Sequence, residues 1–93
     1  MKIQLRAIFK GKVQGVFFRK HVLSCAQMFK GKITGYVKNI ENGNVEVLAI
    51  GEKSDLEEFI KIIKNEAKLA KIQQIEKFYE NPKSTFESFD IIY

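Results

Sequence analysis

Residues 11–20, GKVQGVFFRK, carry the densest chemical signal in the chain. They combine two glycines, four large apolar residues and Arg19, with no carboxylate among them, and the chain's one histidine, His21, follows directly. A strand pattern precedes this stretch and a helix pattern follows it. Amides in the first turn of a helix have no acceptor inside the helix. A preceding loop that curls its own N–H groups toward the same point makes a nest for phosphate oxygens. Gly11 and Gly15 supply backbone angles that other residues resist, and they let a ligand come close. Val16, Phe17 and Phe18 can lock the loop by burial, which leaves the amides of Gly15, Val16, Phe17, Phe18, Arg19 and Lys20 facing outward. Arg19 adds a planar fork that matches two phosphate oxygens. The stretch is not a Walker loop, because no GK[ST] follows at the right gap, and it lacks the GxGxxG pattern of dinucleotide sites. On spacing alone a second reading stays open: a tight strand-to-helix turn whose arginine pairs with a surface carboxylate.

The elements that must position this loop are legible from periodicity. Residues 2–10 alternate, with Ile3, Leu5, Ala7 and Phe9 on one side, and read as a half-buried strand. From Phe18 the period lengthens: Phe18, Val22, Cys25, Ala26 and Phe29 form one helical stripe, with Gly31 placed to end it in a left-handed conformation. Residues 32–40 and 44–51 read as two strands joined at Asn42-Gly43, a pair suited to a type I′ turn because both central positions need positive φ. Ser54-Asp55-Leu56-Glu57 has the form of a capping box. It opens a second helix with Leu56, Phe59, Ile60, Ile63 and Ala67 on its apolar face and Lys61, Lys64 and Lys68 on the other. Residues 71–80 and 86–93 read as two further strands, parted by Asn81-Pro82-Lys83-Ser84. The order βαββαβ, with a short extra strand, predicts an α+β, ferredoxin-like two-layer sandwich: an antiparallel sheet with both helices on one face. That fold hosts many unrelated functions and names none.

The totals bound the partners. Ninety-three residues, 45% of them hydrophobic, predict a single domain, 1–93, with one modest core. No apolar run approaches the roughly 20 residues needed to cross a bilayer, and the alternating N-terminus reads as a strand and not as a signal peptide. One cysteine cannot staple the fold, so a soluble cytoplasmic protein is expected, with no membrane partner. The net charge of +5 favours anionic partners but is not gathered into a tail or block.

GKVQGVFFRK resembles the signature of the acylphosphatase family. Tyr36-Val37-Lys38-Asn39 is similar to that family's Trp-Val-x-Asn strand end, and Asn39 to Glu46 to its N-x-x-D-G-x-V-E hairpin. Phe89-Asp90-Ile91-Ile92-Tyr93 resembles its closing strand, so the likeness covers nearly the whole chain. There are three departures. Tyr36 stands for Trp, Asn42 stands for the turn Asp, and the Arg19–Asn39 gap is about two residues longer than usual, with the extra length placed at Lys30-Gly31-Lys32. A longer helix end would absorb that gap, since the Asn-Gly hairpin sets the strand register.

The resemblance implies metal-independent, cofactor-free hydrolysis of acyl phosphates to a carboxylate and inorganic phosphate. Arg19 and the 15–20 amides would bind the phosphoryl group, and Asn39 would orient the attacking water. The expected partners are small acyl phosphates and inorganic phosphate, on a monomer, with no nucleic acid. The physical chemistry agrees with so sparse a site. A carboxylate leaves without being protonated, its conjugate acid having a pKa near ~4. The loose transition state needs mainly positioning and charge stabilisation.

Other candidates carry less. His21 and Cys25 are one helical turn apart and could form a nucleophile pair, but Cys25 belongs to the apolar stripe and no third orienting residue is evident. One His and one Cys make a poor metal site. An RNA-binding module on this fold would need aromatics in the strand NVEVLAIG, which has none and carries Glu46. A regulatory domain that keeps the phosphate cradle without turnover is the remaining alternative. Lys61, Lys64, Lys68 and Lys71 read as a solvated edge, Glu57 and Glu58 as helix-start charges, and Asn65 and Asn81 as boundary residues.

Overall fold

In the computed structural model, which describes residues 1–15 and 17–93, the elements are β1 (Lys2–Lys12), α1 (Phe18–Gln27), β2 (Thr34–Asn39), β3 (Val45–Glu52), α2 (Lys53–Glu66), β4 (Lys71–Glu80) and β5 (Phe89–Ile92). The sheet order is β4-β1-β3-β2-β5. Leu5, Ala7 and Phe9 of β1, Val45, Val47 and Ala49 of β3 and Val37 of β2 share one buried cluster with Phe18, Val22, Cys25 and Ala26 of α1 and Leu56, Phe59, Ile60 and Ile63 of α2. Both helices therefore cover the same face of the sheet, as the ferredoxin-like reading requires. No helix among the described residues is long and apolar enough to cross a membrane.

The sheet is mixed and not antiparallel throughout. β1 pairs antiparallel with β3 and β4, and β2 antiparallel with β3, but β5 runs parallel to β2. The reason is the route of the chain after β4. Residues 81–88 pass from one edge of the sheet to the other across the face without helices. The Lys83 amide donates to Gln4 Oε1 at 3.2 Å, and Phe86 meets the Tyr36 ring edge-on at 5.9 Å between centroids. On that face Arg6 Nε and Tyr36 OH both donate to the Glu46 carboxylate, at 2.6 and 3.0 Å, so this buried charge is paired. The last strand begins at Phe89 and not at residue 86, because the crossing consumes the intervening residues.

Two local expectations fail for reasons of tertiary context. Gly11 belongs to β1 and not to the loop: it sits where the β1–β4 register shifts, at φ 126, and a Cβ there would run into the Lys71 carbonyl oxygen. Its freedom serves strand approach and not a ligand. The Ser54 capping box is not used either. α2 starts at Lys53 with Glu52 as its N-cap and no side-chain cap, since β3 runs directly into the helix. Glu52 instead bonds the N-terminal ammonium at 2.9 Å. α2 closes at Glu66, so Ala67 and Lys68 lie just past its end.

The core depends on aromatic edges. Phe59 is fully buried and meets Phe29 and Phe89 at 6.0 and 5.7 Å, joining α2 to the segment just past α1 and to β5. Phe59→Ala is expected to cost about 3–5 kcal/mol of stability, read as a lower urea midpoint with an unchanged slope.

Candidate active site

The end of β1 turns into α1 through Val13, Gln14 and Gly15. Val13 is 1% exposed and anchors the turn from below. Gly15 (φ 73) and Phe17 (φ 60, ψ 21) are both left-handed. Phe17 is the N-cap of α1 and offers no side-chain cap, and the first turn carries no acidic residue. The first helical bond runs from the His21 amide to the Phe17 carbonyl, at 3.0 Å. The amides of Phe18, Arg19 and Lys20 are thus left for something outside the helix. Phe18 locks the turn into the core, 3% exposed and edge-on to Phe9 at 5.3 Å. Val16, included in the expected phosphate loop, lies outside the described residues.

Arg19 and Asn39 meet across one cavity of about 320 Å³, formed also by Gly15, Phe17, Phe18 and Lys20. Asn39 reaches it as the last residue of β2, paired with Val45 of β3. The segment between α1 and β2 turns through Lys30 (φ 53) and Gly31 (φ 87), and Asn39 lines the cavity beyond it. The Asn-Gly turn has the expected geometry, with Asn42 at φ 65 and Gly43 at φ 77.

Three lining residues of this cavity, Val13, Ile91 and Tyr93, were not singled out from sequence, nor was Gln14, which supports it without lining it. Gln14 Nε2 donates to the carbonyls of Ile40 and Asn44, at 3.0 and 2.9 Å. It bridges the loop to both stems of the hairpin that carries Asn39. Its signal is purely three-dimensional, and no sequence pattern marks it. The Arg19 guanidinium carbon stands 4.7 Å from the centre of the Tyr93 ring, a cation–π contact. No carboxylate among the described residues pairs with Arg19. The alternative of an arginine spent on a surface ion pair therefore loses its support. Lys20 is exposed, with its ammonium 5.6 Å from the Phe17 ring centre.

Gln14→Ala should leave the fold nearly intact but loosen the hairpin. Turnover is expected to fall roughly 10-fold to 10²-fold, with the affinity for inorganic phosphate unchanged. That split, read from kcat and the phosphate inhibition constant, separates positioning from a general loss of structure.

His21 and Cys25 do not form a nucleophile pair. His21 Nε2 lies 3.0 Å from the Ile63 carbonyl, a bond that ties α1 to α2 when that nitrogen carries the proton. The Cys25 Sγ makes only long contacts to His21, 3.8 Å to Nε2 and 3.9 Å to Nδ1, and burial, with a smaller push from Glu66, raises its thiol to about 11. It stays protonated near neutrality. A larger depression, about 680 Å³, lies between α2 and β4, lined by charges of both signs including Glu57, Glu58, Lys61, Lys64 and Lys77. It holds neither Arg19 nor Asn39, and volume alone does not make it the site.

Comparison with known proteins gives a consistent result. The acylphosphatase family model matches residues 5–91. An acylphosphatase of Dehalococcoides mccartyi is 37% identical over 90 residues, covering 96% of this chain and 97% of the relative. The crystal structure of an acylphosphatase from Bacillus subtilis superposes with a TM-score of 0.88 at 36% identity, covering 98% of this chain and 99% of that one. An acylphosphatase structure from Coxiella burnetii superposes at 0.85, with 27% identity over 98% of this chain and 93% of that one.

Proposed function

The chain belongs to the acylphosphatase family and is a hydrolase of acyl phosphates, and from that premise we propose how its residues divide the work. The loop amides from Gly15 to Lys20 and the Arg19 guanidinium hold the three phosphoryl oxygens. Asn39 orients a water on the far side of phosphorus from the leaving carboxylate. The water oxygen forms a bond to phosphorus as the bond from phosphorus to the acyl oxygen breaks. The carboxylate departs with the electron pair, and the water's proton passes to a phosphate oxygen. No general acid is required, because the leaving group is already a weak base. The observation that carries this reading is the convergence of Arg19 and Asn39, from the two ends of the α1–β2 unit, on one cavity at an uncapped helix start.

Magnitudes support the division. Charge spreads over the oxygens in a loose transition state, so preorganised donors act where charge develops. Asn39 has both an acceptor and a donor for one water. Both groups come from one chain, so a monomer suffices. The one thiol, Cys25, is buried and free, in keeping with a reducing cytoplasm. The test is loss of benzoyl phosphate absorbance with EDTA present. Turnover unaffected by the chelator is expected; a folded protein that binds phosphate but turns nothing over would leave only a binding module.

A further inference from the structure

Beside the phosphoryl cavity lies a second, smaller one of about 170 Å³, bounded by Phe17, Phe18, His21, Ala67, Leu69 and Ala70. The two cavities share Phe17 and Phe18 as a common wall. We propose that this second cavity receives the acyl chain of the substrate and makes the enzyme selective for apolar acyl groups. The proposal rests on the hydrolase reading above and adds to it where the leaving group goes.

Three observations converge. The first is direction. In-line displacement puts the leaving group opposite the attacking water. Asn39 lines only the phosphoryl cavity, while the segment joining α2 to β4, Ala67–Ala70, lines only the second one. In the proposal the carboxylate leaves past the shared Phe17 and Phe18 wall toward that segment.

The second is chemistry. Leu69 is 65% exposed and Phe17 71% exposed, two large apolar side chains left in water on either side of the same recess. His21 has its Nε2 engaged by the Ile63 carbonyl and packs against the Phe18 ring at 6.1 Å, so it adds ring surface to the wall. Lys68 is the one charged side chain there and is exposed, leaving its ammonium free to stay in solvent while its methylenes extend the wall.

The third is the backbone of Phe17. The left-handed region favours glycine or asparagine, yet Phe17 holds φ 60, as Lys30 holds φ 53. An aromatic ring held there and left exposed has a use as a surface to pack against.

Because the acyl chain sits alike in ground and transition states, the selectivity belongs in KM and not in kcat. The experiment compares acetyl, butyryl and hexanoyl phosphate with the unmodified protein and with Leu69→Ser. In parallel, calorimetry measures binding of methyl-, butyl- and hexylphosphonate, which are not turned over. The expected result is a KM that falls with chain length by up to about fourfold per methylene, at nearly constant kcat. The phosphonate affinities should show the same gradient. Leu69→Ser should flatten both gradients while acetyl phosphate is hydrolysed as before. Equal KM and equal phosphonate affinity along the series would overturn the proposal, as would a gradient that survives in Leu69→Ser. Absence of acetyl phosphate turnover would instead strike at the hydrolase reading, and the phosphonate series would still decide the acyl cavity.

Discussion

Arg19→Gln lowers turnover of an acyl phosphate by about 10²–10³-fold and weakens inhibition by inorganic phosphate. The guanidinium has no carboxylate partner among the described residues, so its charge is not neutralised before substrate arrives. It is partly buried and stands 4.7 Å from the centre of the Tyr93 ring, a contact that leaves its N–H groups unsatisfied. Two parallel N–H donors of the guanidinium suit two phosphoryl oxygens. Glutamine keeps a donor but loses both the charge and the fork. The substitution breaks no ion pair, so the urea midpoint should move little. A large shift in stability with modest loss of turnover would return Arg19 to a structural role.

Asn39→Ala is expected to lower kcat by about 10²-fold or more while inhibition by phosphate is largely kept. Asn39 is exposed, at the end of β2, and among the described residues its side chain has no hydrogen-bond partner to lose. The work proposed for it is the placement of a water, which matters only as the new bond forms. The contrast with Arg19 is the informative part. If Asn39→Ala abolished phosphate binding and Arg19→Gln spared it, the two roles would be reversed. Steady-state kinetics on benzoyl phosphate, with phosphate as a competitive inhibitor, separates the cases.

What the sequence made legible was local or strongly periodic. Of the stripe Phe18, Val22, Cys25, Ala26 and Phe29, the first four are buried on α1 as their spacing predicts while Phe29 lies past the helix end and is half-buried, and Asn42-Gly43 takes the positive φ values its turn demands. The β2–β3 register follows from that turn, pairing Asn39 with Val45. What stayed hidden depends on partners far along the chain. Gly11 reads like a loop glycine until β4 is laid beside it. Ser54 reads like a cap until β3 is seen to run straight into α2. The parallel pairing of β5 with β2 follows from a crossing segment that has no periodic signature of its own. Gln14 is the instructive case at the site. A glutamine between valine and glycine has no distinguishing context, yet its amide joins the β1–α1 loop to the hairpin that presents Asn39.

The central claim is that water attacks phosphorus while the carboxylate leaves whole. Turnover of benzoyl phosphate in ¹⁸O-labelled water, with EDTA present and products weighed by mass spectrometry, tests it most directly. The account predicts that the label appears in inorganic phosphate and none in benzoate. Label in benzoate would mean attack at the acyl carbon, and the roles given to the loop amides, Arg19 and Asn39 would then be wrong.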